Sequence, residues 1–116
     1  MQLPTTFNNL VNEAQQLQLY NNLIKQLNKD FALSNIDFNV REDIEPLSLK
    51  SALHEILYTL IQEKFADYLN LLYIVDVPEQ DIKALKGDDI LKLSQQVSFL
   101  VLKREWQKVW LRHKYK

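Results

Sequence analysis

The sequence contains no cysteine. That excludes disulfides, thiolate catalysis and cysteine-ligated metals together, and it suits a reducing compartment. Glycine occurs once and proline three times. Few turns can be built from so few breakers, and long helices are the economical reading. A phosphate-cradling glycine loop is excluded on the same ground. Histidine occurs twice, a thin supply for metal ligation or a catalytic triad. Neither charge sign dominates: 14 Lys and Arg face 15 Asp and Glu, a net charge of −1. The whole chain therefore has no strong pull towards an anionic partner. Long apolar runs are missing too. The most apolar stretch, YLNLLYIVDV (68–77), follows Asp67 and contains Asp76, and it is far short of the roughly 20 residues that span a bilayer. The start, MQLPTTFNNLVNEA, has neither the basic opening nor the apolar core of a signal peptide. The expectation is a cytoplasmic protein without a membrane partner.

What is present is ordinary for a globular chain: 47% hydrophobic and 25% charged residues. A chain of 116 residues has room for one domain and one core, here read as 1–116. Apolar spacing predicts three long helices. The first covers about 6–29, capped by Thr5 or Thr6, with Phe7, Leu10, Ala14, Leu17 and Ile24 at helical intervals. Leu23 and Leu27 shift its stripe around the axis, so it is expected to touch two neighbours. The second covers about 48–76 and opens near Pro46–Ser48, where a missing N–H costs nothing. Leu49, Leu53, Ile56, Leu60 and Tyr68 line one side, and Leu57, Ile61, Phe65, Leu69 and Leu72 widen the stripe. So broad an apolar surface marks it as the expected central helix, with Leu53, Leu60 and Leu72 in the core.

Pro78 ends the second helix. A short helix follows over 78–86, with Gly87 suited to a left-handed C-cap. Asp88 or Asp89 caps a last helix over 88–115. Between the first two helices, Ile36, Phe38 and Val40 alternate with Asp37, Asn39 and Arg41. Period two predicts an extended segment near 36–40. The fold class is all-α: a slender bundle of three long helices plus one short helix. Helices of this length would reach roughly 40 Å.

Catalytic and cofactor patterns are missing. His54 and Glu55 are adjacent, and Glu63 and Asp67 stand one turn apart, but the paired Glu-x-x-His spacing of a di-iron bundle is not there. GDD (87–89) sits between helices, where C-cap followed by N-cap is its expected role. The short helix, Gly87 and the last helix resemble a helix-turn-helix only superficially, because Asp88 and Asp89 would meet phosphates with the wrong sign. No catalytic residue, metal ligand or cofactor site is assigned, and an enzyme is not the expected class.

Two features bear on partners. Residues 103–116, KREWQKVWLRHKYK, carry a net charge of +5, while the rest of the chain carries −6. On one helix, Phe99, Leu102, Trp106, Val109, Trp110 and His113 share a face, and Arg104, Lys108, Arg112 and Lys116 form a second stripe. The tryptophans extend the apolar face instead of alternating with the cations, as base-stacking aromatics would. Trp106 is therefore expected to be buried and Trp110 partly covered, with the basic stripe solvated beside the acidic remainder. The alternative is a nucleic-acid site at Arg104, Lys108, Arg112 and Lys116. The second feature is the amide-rich face of the first helix, where Asn12, Gln16 and Asn21 stand out. Uncharged polar groups desolvate more cheaply than charged ones, which fits a surface for a protein partner or a second copy; AT-rich codon usage explains the same composition. The expected function is a small helical interaction module, an adaptor, regulator or homo-oligomer.

Overall fold

A computed structural model describes residues 2–116. All its regular structure is helical: α1 (Phe7–Gln16), α2 (Tyr20–Leu33), α3 (Pro46–Glu63), α4 (Phe65–Val75), α5 (Glu79–Lys83) and α6 (Ile90–Lys114). The all-α class holds. The bundle of three long helices does not, because the expected first and second helices are each divided in two.

The first division follows from the shift of the apolar stripe. Leu10, Val11 and Ala14 are buried on α1, and Leu23, Ile24, Leu27 and Phe31 on α2. On one straight helix these two sets would look in different directions. The chain instead stops, turns, and aims both at the same core. Gln18 takes the left-handed conformation at φ 57°. The Leu19 N–H then reaches the Ala14 carbonyl at 2.8 Å, and the Gln18 N–H reaches Gln15 at 3.0 Å. This is a Schellman stop, which satisfies the carbonyls at the helix end. Asn35 closes α2 in the same way at φ 60°, with Ile36 N–H on the Phe31 carbonyl at 3.0 Å, and Asp76 closes α4 at φ 69°. Gly87, the expected left-handed residue, has no positive φ. The stops are made by residues that carry a Cβ, so counting glycines underestimates the turns.

Asn and Asp tolerate this conformation through local hydrogen bonding, whereas Gln gains no such help. Gln18→Gly is therefore expected to raise stability by about 0.5–1 kcal/mol, the left-handed penalty less glycine's larger unfolded-state entropy. Urea unfolding of the two proteins checks it. A variant less stable than wild type would show that Gln18 contributes more than its backbone.

The second division falls at Lys64, at φ −138° and ψ 62°. At about 100° per residue, a continuous helix would place Lys64 in the middle of the stripe formed by Leu53, Leu57, Leu60, Leu71 and Val75. All five are buried, and Lys64 is exposed. Breaking the helix there keeps an ammonium out of the core, where burial without a partner costs several kcal/mol.

The central element is α6 instead of the expected second helix. It packs against α1, α2, α3 and α4. Its buried residues are Ser94, Val97, Ser98, Val101, Leu102, Glu105, Trp106 and Val109. Three of these are polar, which hides the helix from a search for apolar stripes. Ser98 Oγ donates to the Ser94 carbonyl at 2.7 Å and Ser94 Oγ to the Leu91 carbonyl at 2.8 Å. Hydroxyls satisfied by their own helix let neighbours approach closely. Leu53 and Leu60 are in the core as expected, while Leu72 is half-buried. The molecule measures 37 × 27 × 25 Å, so it is not slender. No helix among the described residues is long and apolar enough to cross a membrane.

The 36–40 segment keeps its predicted alternation without a strand partner. Ile36 and Phe38 are buried, and Asp37, Asn39 and Arg41 are exposed. Phe38 stacks on Phe31 with ring centroids 4.3 Å apart. Asn28 of α2 does the work of a neighbouring strand: its amide donates to the Val40 carbonyl at 2.8 Å and accepts from the Val40 N–H at 3.0 Å. Further along, the Tyr20 hydroxyl donates to the Ile44 carbonyl at 2.6 Å.

Candidate functional site

Half of the basic stripe of α6 turns inward, at Arg104 and Lys108, while Arg112 and Lys116 stay exposed. Arg104 Nε donates to the Asp76 carbonyl at 2.9 Å, and its guanidinium reaches the Asp76 carboxylate at 3.1 Å. It thus sits on the C-terminal end of α4, where a helix presents partial negative charge. Arg112 donates to the Gln26 amide oxygen at 3.0 Å. Lys108 lies 2.9 Å from Asp30 and 3.3 Å from Glu105. The solvated stripe expected from the sequence is therefore corrected at Arg104 and Lys108 and holds at Arg112 and Lys116. Arg104 and Lys108 are only 21% and 18% exposed, and they stitch α6 to α4 and α2. Lys116 lies exposed beyond the helix end. Trp106 is fully buried and Trp110 half-buried, with Lys114 Nζ 5.0 Å from the Trp110 ring centroid.

Around Lys108 the core holds an ionic cluster that sequence reasoning missed. The Asp30 carboxylate accepts from Lys108 and, at 3.2 Å on each oxygen, from the Gln26 amide. Burial pushes Asp30 up. Hydrogen bonds from Glu105, Lys108 and Gln26, with the Lys108 charge, outweigh it and hold Asp30 below the ordinary carboxylate range. Glu105 goes the other way. Burial, then the bond to Asp30 and its negative charge, push it up to about 9. As a carboxylate, Glu105 would lack a hydrogen-bond donor at both oxygens; the 3.3 Å approach of Lys108 is an ion-pair distance without hydrogen-bond geometry. A protonated Glu105 removes half of this deficit, since its own proton can be donated to Asp30. The cluster then carries one anion and one cation. A buried acidic residue inside a basic segment, KREWQK, was the available signal.

The amide residues divide by role. Gln26 and Asn28 face the interior bonds just described. Asn12 and Gln16 are exposed on α1, and Asn21 is exposed at the start of α2, across the Gln18 stop. The expected single face is therefore spread over two helices. Asp89 caps α6, its carboxylate accepting from the Leu91 N–H at 2.9 Å. Pro46 takes the first position of α3.

An aligned set of exposed apolar residues lies elsewhere, on α4. Its inner face buries Tyr68, Leu71 and Val75. Phe65, Leu69 and Tyr73, four residues apart, form a stripe on its outer face, at 55%, 51% and 81% exposure. Ala66 and Asn70 flank them and are also exposed, so the charges nearest the stripe are at its ends, at Lys64 and Asp76. Phe65 and Leu69 were legible in the sequence as part of a stripe widening the second helix, where they read as core; Tyr73 was not singled out. No family model, curated protein or solved structure matches this chain.

Proposed function

We propose that this chain is a protein-interaction module that works as a homodimer, with the outer face of α4 as the dimer surface. The observation that carries the reading is the Phe65–Leu69–Tyr73 stripe. Single exposed apolar residues are normal on a protein surface; an aligned set on one helix marks an interaction site. A second copy fits it by symmetry. Twofold interfaces match one surface patch with itself. Leu69 stands at the centre, with one aromatic ring four residues to either side. An antiparallel copy of α4 therefore sets Leu69 against Leu69 and Phe65 against Tyr73. No charge on the stripe opposes that pairing. A nucleic-acid role finds less support, because Arg104, Lys108 and Arg112 already bond within the molecule.

Sedimentation over a concentration series tests the reading. The wild-type protein is expected to show a concentration-dependent mass approaching the dimer. Leu69→Lys is expected to remain monomeric with unchanged helix content, because two ammonium groups would meet at the symmetry axis. Asn12→Lys with Gln16→Lys is expected to dimerise like wild type, which separates the amide-rich face from α4. A wild-type monomer throughout, or a Leu69→Lys protein that still dimerises, ends the proposal.

A further inference from the structure

The N-terminal end of α1 meets the sides of α3 and α6 around a cleft of about 380 Å³. Its wall is apolar, built from Phe7, Leu53, Phe99 and Leu102. Polar residues complete it: Lys50 and His54 of α3, Gln95, Gln96 and Ser98 of α6, and Thr5 and Thr6 before α1. This combination of an apolar body with a few convergent polar groups is the usual form of a small-molecule site.

The charges around the cleft have one sign. Its lining contains no Asp or Glu. Lys50 has no carboxylate within ion-pair distance among the described residues. Its Nζ stands 5.3 Å from the centroid of the Phe7 ring. Thr6, also on the lining, is the N-cap of α1, and no acidic residue sits in that helix's first turn. The positive end of the helix dipole is thus left without a counter-charge. His54 is held below the ordinary histidine range by burial and by the Lys50 charge. A neutral imidazole donates one N–H. Finally, the Gln96 amide oxygen is buried without a partner.

We infer that the cleft between α1, α3 and α6 binds a monocarboxylate with an apolar body, the carboxylate held at Lys50 and the N-terminus of α1 and the chain lying along Phe7, Leu53, Phe99 and Leu102. The volume sets the size of that body. At about 30 Å³ for each water-sized group, the cleft holds about a dozen such groups, the size of a ten-carbon acid. This site is separate from the α4 surface, and the two proposals stand or fall independently.

Decanoate is the probe, with decan-1-ol as its uncharged counterpart, both below the concentrations at which they aggregate. Calorimetric titration of the whole chain is expected to show one decanoate per chain. Decanol is expected to bind about tenfold more weakly, the ratio that a lost charge-assisted hydrogen bond produces. Lys50→Met keeps the apolar stem and removes the charge. It is expected to lower decanoate affinity to that of decanol and to leave decanol binding unchanged. Circular dichroism establishes that the variant is folded, and decanol binding to it gives a second check on the cleft. Backbone NMR shifts on adding decanoate are expected at Phe7, His54 and Phe99. Equal affinity for the acid and the alcohol would overturn the carboxylate assignment. Shifts confined to Phe65, Leu69 and Tyr73, or no binding up to about 1 mM, would overturn the site.

Discussion

Trp106→Ala is expected to destabilise the fold by about 3–5 kcal/mol, the range for truncating a large buried aromatic residue. The indole is fully buried on the helix that every larger neighbour packs against. Removing it leaves a void bordered by several helices at once, and surfaces held apart by four partners cannot readily collapse into it. The indole N–H is buried without an acceptor. Trp106→Phe therefore removes an unsatisfied donor along with one ring, and is expected to cost clearly less than the alanine variant. Urea unfolding of the three proteins measures both differences. A loss below about 0.5 kcal/mol for Trp106→Ala, the level of surface substitutions, would remove α6 from the centre of the core.

Lys108→Met is expected to cost a similar amount, about 3–5 kcal/mol, as when one partner of a buried ion pair is removed. The methionine fills the stem's volume, so the loss reports charge and not packing. It leaves Asp30, only 4% exposed at its side chain, as an anion without its cation. Adding Asp30→Asn to Lys108→Met is expected to recover part of the loss, because the remaining charge goes too. Additive losses in that double-mutant cycle would mean that the two groups are not coupled.

The same cluster has a pH signature. Glu105 keeps its proton in the folded state up to about 9, against an ordinary value of 4.5. Between those values the unfolded chain binds fewer protons than the folded one. The Glu105 contribution is therefore complete below 4.5 and is lost as pH rises towards 9, at no more than about 1.4 kcal/mol per pH unit. Asp30 acts in the opposite sense: its contribution is present above its unfolded value and is lost as pH falls. Together they pull the optimum towards mildly acidic pH. Glu105→Gln mimics the protonated carboxyl and can still donate to Asp30. It is expected to flatten the decline across neutral pH, and identical slopes in the two proteins would show that Glu105 is ionised in the fold.

Sequence alone determined whatever depends on near neighbours along the chain. Thr6 and Asp89 cap helices because a short side-chain oxygen reaches an N–H two or three residues on. Pro46 opens α3, Ile36 and Phe38 turn inward in period two, and Trp106 joins the apolar face of α6, each from spacing alone. Tertiary structure decided the rest. Spacing reports a direction about a helix's own axis; it does not say that two directions must meet one core, and that demand stops the first helix at Gln18 and the second at Lys64. Nor does spacing distinguish a solvated Glu105 from a buried one, or a free Lys108 from one facing Asp30, 78 residues away. Those states depend on the surrounding dielectric and on charges brought close only by folding.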